Sequence, residues 1–327
     1  MQVLLLTVLI LAAYTEFRRR HYARAHPPAG RLILVGGAKV HVLEEGAQGL
    51  SGAPVVLFVH GASGNLKDLH LAFEGRFPDH IRRVYMDRPG LGHSERGLGR
   101  RASPRDQGRR LLDAMTELGH SSFTVVGHSF GAAVAVAMAL EAPSRVTGLA
   151  LLAPATHPWN GKVAWYYRLA ALPILGWLFC RLIALPVTER VAPASMRHVF
   201  APDPVPDGYA RKIGLELLFR PESFRSNACD LAAFNQHLAE QAEGYPQMGQ
   251  PAVIVTGDQD GVVWPSIHSR GLKRDLRAGR LIELPGAGHM PHHAHAAKIA
   301  ALILGLISAK ASAEPGTESR NIDISMS

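Results

Sequence analysis

Gly127-His128-Ser129-Phe130-Gly131 follows the apolar run Phe123–Val126 and leads into the alanine-rich stretch Ala132–Leu140. A short β-type run, then Gly-x-Ser-x-Gly, then a helical run is the arrangement a nucleophile elbow requires. The serine must sit on a turn so sharp that its backbone is strained, which exposes Oγ at the end of a sheet. Side chains two positions to either side would collide with the crossing strand and helix, and glycine removes them.

A serine hydroxyl is a poor nucleophile at neutral pH, so a base must take its proton and an acid must orient that base. Both lie downstream in the order Ser…Asp…His. Pro251–Thr256 is a buried-strand run that leads into Gly257-Asp258-Gln259-Asp260-Gly261, and Leu281–Leu284 leads into Pro285-Gly286-Ala287-Gly288-His289. Each polar group stands just past the C-terminal end of a strand, where parallel sheets place their chemistry.

Two further motifs stand upstream: His60-Gly61-Ala62-Ser63-Gly64-Asn65 after Val55–Val59, and Asp87-Arg88-Pro89-Gly90-Leu91-Gly92-His93-Ser94 after Val84–Met86. With these five motifs in register, the chain from about Arg31 to Leu306 resembles the α/β-hydrolase family. The resemblance implies an eight-stranded, mostly parallel sheet with helices on both faces and an inserted helical cap. Strands are expected at Leu32–Val35, Val40–Leu43, Val55–Val59, Val84–Met86, Phe123–Val126, Val146–Leu152, Val253–Thr256 and Leu281–Leu284. Helices are expected at Arg105–Leu118, Phe130–Leu140 and His295–Ile307, and Gly36-Gly37 reads as a hairpin turn.

The resemblance also implies site roles. Asp260 stands at the family's position for the acid, ahead of Val262-Val263-Trp264-Pro265, and Asp258 is expected to brace its loop by accepting backbone N–H bonds. The triad is then Ser129, Asp260 and His289, and the oxyanion donors are the backbone N–H groups of Ala62 and Phe130. Backbone amides suit that task because they are preorganised and need no protonation state. His60 is expected to brace its loop, and Asp87, Arg88 and His93 to shape a turn. His292, His293 and His295 are read as solvated residues opening the last helix, with no metal and no cofactor expected. Cys180 and Cys229 form neither a disulfide framework nor a redox pair.

The gap between Leu152 and Pro251 is too long for a structureless connection, and the family carries its cap there. Trp159, Trp165, Tyr166, Tyr167, Trp177, Phe179 and many leucines crowd into one short part of it. That density exceeds what a small helical unit can bury, and surplus apolar surface marks a ligand groove or a membrane contact. Trp165, Trp177 and Trp264 are the expected pocket residues. The domain reading is a hydrophobic anchor at 1–20, core at 31–153 and 249–307, a cap at 154–248 and a disordered tail at 308–327.

Val3–Tyr14 is apolar and is followed by Glu16, Arg18, Arg19, Arg20 and Arg24. A cleaved signal peptide carries its positive charge before the apolar run, so an uncleaved anchor with a cytoplasmic catalytic domain is expected, and a secreted or periplasmic form after cleavage is the alternative. The net charge of +8 is rich in arginine. No nucleic-acid motif accompanies it, which makes anionic lipid the simpler partner.

The nucleophile position holds serine where dehalogenases and epoxide hydrolases carry aspartate. The expected activity is hydrolysis of carboxylic esters through an acyl-serine intermediate, with acyl lipids such as monoacylglycerol as substrates. A C–C bond hydrolase or cofactor-free perhydrolase using the same triad is the alternative, as is a non-catalytic binding protein on the same scaffold.

Overall fold

Gly36 and Gly37 both have positive φ, +52° and +80°, and fold the chain back so that Val35 pairs with Ala38. A two-residue turn of this hand matches the twist of the strands it joins. The computed structural model describes residues 1–47, 49–161 and 163–313. Helix α1 (Gln2–Ala25) leads into the hairpin of β1 (Arg31–Val35) and β2 (Ala38–Glu45). There follow β3 (Val55–Val59), α2 (Leu66–Phe73), β4 (Arg82–Met86), α3 (Pro104–Glu117), β5 (Phe123–His128), α4 (Phe130–Glu141) and β6 (Val146–Leu152). Between β6 and the next strand the chain is helical. It forms α5 (Trp165–Ala170), α6 (Ile174–Phe179), a π-helical turn at Cys180–Ala184, α7 (Leu185–Phe200), α8 (Tyr209–Ile213) and α9 (Pro221–Ala242). The chain then closes with β7 (Ala252–Gly257), α10 (Ser269–Asp275), β8 (Gly279–Leu284), α11 (Pro291–Ala294) and α12 (Ala296–Ala313).

The eight strands make one sheet in the order β1-β2-β4-β3-β5-β6-β7-β8. Only the pairings of β2 with β1 and with β4 are antiparallel; the rest run parallel. All eight expected strand runs are found, each within three residues of its expected ends.

The period of two in each strand sends alternate side chains to opposite faces. Leu57 and Val59 of β3 pack with α3 and α4 on one side, whereas Val56 and Phe58 pack with α2 and α12 on the other. Such two-sided burial explains why the central strands read as unbroken apolar runs. Helix α3 starts at a capping box between Ser103 and Asp106, with Pro104 in its first turn.

The expected N-terminal anchor is not found as a membrane-crossing helix, and the expected disorder does not begin at residue 308. Among the described residues no helix is long and apolar enough to cross a membrane. In α1 the apolar run is only Val3–Tyr14, about 18 Å of helix, and Glu16 and Arg18–Arg20 end it. The second half of α1 docks instead on the insertion: Tyr14 Oη donates to Glu189 Oε2 at 2.5 Å, Arg18 Nε to Glu189 Oε1 at 2.7 Å, and Tyr22 Oη also donates to Glu189. The tail expected from residue 308 is helical as far as Ala313; residues 314–327 lie outside the described residues.

Candidate active site

Ser129 has φ +52° and ψ −116°, between the last residue of β5 and the first of α4. A Cβ built on Gly127 would stand 2.5 Å from the Gly131 carbonyl oxygen and 2.6 Å from Ala132 Cα. One built on Gly131 would stand 2.2 Å from the Val59 oxygen and 2.5 Å from that of His60. Both clashes are with backbone, which cannot step aside, so the two glycines are sterically obligatory. The strained turn is held by its neighbours: the Ser129 amide donates to Leu152 O at 2.9 Å, and the Ser129 carbonyl accepts from Ala132 N and Ala155 N.

His289 and Asp260 come to this serine from loops beyond β8 and β7. His289 Nε2 lies 3.1 Å from Ser129 Oγ, and Nδ1 lies 2.8 Å from Asp260 Oδ2. An ionised carboxylate only accepts, so Nδ1 carries the proton and Nε2 is left with a lone pair facing the serine hydroxyl. The other oxygen, Asp260 Oδ1, accepts from the amides of Val262 and Val263, both at 2.8 Å. Asp258 is not part of this chain of bonds. Its Oδ1 accepts from Gly286 N at 2.7 Å and ties the two loops together.

Gly61 lies against Ser129, where an added Cβ would be 3.2 Å from Ser129 Cβ and 2.8 Å from His128 Nδ1. The amides of Ala62 and Phe130 donate in none of the turn and loop hydrogen bonds of the described residues. Phe130 is the first residue of α4, where backbone donors have no partner inside the helix. His60 braces the loop: its Nδ1 donates to Gly61 O at 2.8 Å, and its Nε2 accepts from Arg88 N at 2.9 Å. Burial pushes its pKa down to about 4, so the ring is neutral. Asp87 is a buried turn residue, accepting from Leu66 N, His93 N and His41 Nδ1.

Arg88, read from the sequence as turn chemistry, is completely buried beneath the site. Its guanidinium donates to His60 O, Gly61 O, Gln107 Oε1 and Asp230 Oδ2, and stacks 4.2 Å over the Phe130 ring. Burial lowers its pKa to about 10, with Asp230 opposing the shift, so it stays charged. Nothing local in the sequence pairs it with Asp230, which is 142 residues away.

A second set of buried groups was also missed. His292 and His293 are not solvated: their Nε2 atoms donate to Asp68 at 3.2 and 2.8 Å, and Tyr209 Oη donates to the same carboxylate at 2.8 Å. Helix α11 turns its first residues inward against α2, which is why the expectation of solvent exposure fails. Burial would raise the Asp68 pKa, yet His292 and His293 hold it well below the usual carboxylate range. His128 joins this group by its ring and donates Nε2–H to the His289 carbonyl at 3.0 Å. Asp68, His128 and His292 place one possible metal-ligating atom each within 4.8 Å of one another. Both oxygens of Asp68 already accept from donors, while the Nδ1 atoms of His128 and His292 are buried without a hydrogen-bond partner.

Above Ser129 opens a cavity of about 1170 Å³, walled by the sheet loops on one side and the insertion on the other. Phe130, Trp159, Tyr167, Val187, Phe224 and Phe234 are among its apolar lining, and no lysine or arginine is found among the described lining residues. Trp165 and Trp264 line it, 69% and 52% exposed at its rim. Trp177 does not line it. Its neighbour Gly176 is pressed against the backbone of Ala170, and one residue further along α6 points about 100° away, outward beneath the Arg181 guanidinium.

A family model described as the alpha/beta hydrolase fold matches residues 54–296. The chain belongs to the α/β-hydrolase fold family. Similar curated proteins include dihydrolipoyllysine-residue acetyltransferase components of acetoin cleaving systems. The one from Pseudomonas putida is 29% identical over 82% of this chain and 66% of its own length. The one from Cupriavidus necator is 36% identical over 37% and 30%. The chain thus spans between about a third and two thirds of these relatives. A putative carbamate hydrolase of Klebsiella pneumoniae is 26% identical over 73% of this α/β hydrolase and 85% of its own length. Among solved structures, the enol-lactonase of Burkholderia xenovorans has a TM-score of 0.71 at 20% identity, covering 85% of this chain and all of that one. A membrane phospholipase A has a TM-score of 0.68 at 21% identity, covering 95% and 98%. At these identities the structural likeness is one of fold.

Proposed function

We propose that this α/β hydrolase is a membrane-associated serine esterase that cleaves carboxylic esters of acyl lipids, monoacylglycerol-type esters among them. The observation that carries the reading is the Ser129–His289–Asp260 chain of hydrogen bonds opening into a large apolar cavity with no lysine or arginine among its described lining residues. Ser129 Oγ attacks the ester carbonyl carbon while His289 Nε2 takes the hydroxyl proton, and Asp260 holds the resulting imidazolium in place. The amides of Ala62 and Phe130 receive the oxyanion. Collapse expels the alcohol, which takes the proton from His289. Water then repeats the sequence on the acyl-serine and releases the acid.

The cavity argues for the substrate class. It exceeds the roughly 300–1,000 Å³ of pockets that hold drug-sized ligands, and its lining suits a long hydrocarbon chain. A ring-cleavage product carries carboxylate and enolate charge, for which the described lining offers no lysine or arginine, so the C–C hydrolase reading is disfavoured. The insertion, residues 154–248, then serves as the cap over the nucleophile, with Trp165 and Trp264 at its mouth.

The membrane attachment rests on the first half of α1. Val3, Leu4, Leu5 and Leu6 point in four directions around the helix, yet all are between 59% and 80% exposed. A bare apolar helix end needs a cover, and its length suits entry into one leaflet of a bilayer whose hydrocarbon core is about 30 Å thick. The exposed Arg20 would meet anionic headgroups.

The test is fluorophosphonate labelling and p-nitrophenyl ester hydrolysis from short to long chains, with vesicle flotation. Ser129→Ala is expected to lose both label and turnover, and long chains to be preferred. A label that persists in Ser129→Ala removes the nucleophile assignment. Preference for acetate esters removes the lipid reading. Failure to float with anionic vesicles removes the membrane attachment.

A further inference from the structure

Asn227, Asp230 and Phe234 lie three and four residues apart on α9, so one face of that helix carries all three. Asn227 and Asp230 are completely buried and polar, which is costly unless their bonds are made. The bonds they make converge on the loop that carries the Ala62 amide and, through Arg88, on the ring of Phe130.

Ser63 follows Ala62 and has φ +59°, a left-handed conformation that a non-glycine residue keeps only where its surroundings enforce it. Asn227 enforces it from both sides: Ser63 N donates to Asn227 Oδ1 at 2.8 Å, and Asn227 Nδ2 donates to Ser63 Oγ at 3.0 Å. Upstream, Arg88 Nη2 donates to Gly61 O at 3.2 Å, and Asp230 Oδ2 in turn accepts from Arg88 Nη1 at 3.1 Å. The Gly61 carbonyl and the Ala62 N–H belong to one planar trans peptide and point in opposite directions. Pinning that carbonyl toward Arg88 therefore aims the Ala62 N–H away from it. The Phe130 ring is held between the Arg88 guanidinium at 4.2 Å and the Phe234 ring, stacked at 4.1 Å and 20°.

We propose that this face of α9 is a positioning element for the oxyanion hole, with Asn227 its central residue, so that the hole is complete only while the insertion is seated. The inference rests on the assignment of the Ala62 and Phe130 amides as oxyanion donors. Asn227 touches no reacting atom; it acts through Ser63 on the peptide before it.

The experiment compares the full-length chain with Asn227→Ala and Asn227→Asp, the latter keeping an acceptor for the Ser63 amide. Turnover of a p-nitrophenyl ester and affinity for a trifluoromethyl ketone, which forms the tetrahedral oxyanion on Ser129, are measured together. Asn227→Ala is expected to lose about 10- to 100-fold in kcat with KM within about twofold, and to lose ketone affinity by the same factor. Asn227→Asp is expected to recover most of both. Any one of three results overturns the proposal: an unchanged kcat in Asn227→Ala, a rise in KM alone, or a fall in kcat without a matching fall in ketone affinity. Should the alanine variant yield no folded protein, Asn227→Ser is read by the same two measurements. A wild-type protein that takes no fluorophosphonate label removes the underlying hydrolase reading, which is a separate result.

Discussion

Helices α4 and α9 meet at the ring of Phe130, one from the core beneath Ser129 and one from the insertion above it. Helix α4 is buried at ten of its twelve residues, and every one of those ten is apolar or glycine. Helix α9 is nearly twice as long, and its buried side includes Ser223, Asn227 and Asp230. The floor of the site is thus fixed by steric fit of small side chains against backbone, and the roof by polar bonds reaching across the gap. A change of size should break the first, and a change of charge or hydrogen bonding the second.

The largest effect is expected at Gly131. A valine there meets the Val59 and His60 carbonyls at distances no rotamer relieves, and a loss of more than about 4 kcal/mol is expected in urea denaturation. On the roof, Asp230→Ala adds no bulk but leaves the buried Arg88 without its counter-ion. It is expected to cost about 3 kcal/mol by the same measurement. If the two substitutions ranked the other way, the contrast between floor and roof would fail.

Acid tests the polar seam more gently. His60, His268 and His292 are each pushed down to about 4 by burial, from an ordinary value near 6.5. Below pH 6.5 the unfolded chain binds protons that the folded chain refuses. Their contribution is complete above that pH and is lost as pH falls toward 4. Urea midpoints should therefore decline from pH 7.5 to pH 5, and a flat profile would contradict the neutral, buried state of these rings. The smallest effect separates two tryptophans. Trp165→Ala should raise KM for long-chain esters several-fold, whereas Trp177→Ala, on the outer side of α6, should leave chain-length preference unchanged.

What could be read from the sequence follows the same division. Strands β3, β5, β6 and β7 are buried on both faces, so their apolar runs announce them, and the elbow glycines lie next to the serine they serve. Asp260 and His289 were legible because each stands just past a readable strand. Arg88 with Asp230, Ser63 with Asn227 and Asp68 with His292 were not, since each pair is joined across 142, 164 and 224 positions with no local pattern on either side. Trp177 was misplaced for a related reason: aromatic density shows that a segment has surplus apolar surface, and helical phase decides which side receives it.

Phase has a second consequence at the π-helical turn Cys180–Ala184, which lies directly between α6 and α7. Such a turn takes up one residue more than an α-helical one, so everything beyond it is rotated by about 100° relative to an uninterrupted helix. In α7 that rotation sets Val187 and Val191 toward the cavity and Glu189, on the opposite side, toward Tyr14, Arg18 and Tyr22 of α1. The turn works as a gear tooth: a single backbone step sets the phase of α7, and the one rod then meets the cavity on one side and the N-terminal helix on the other.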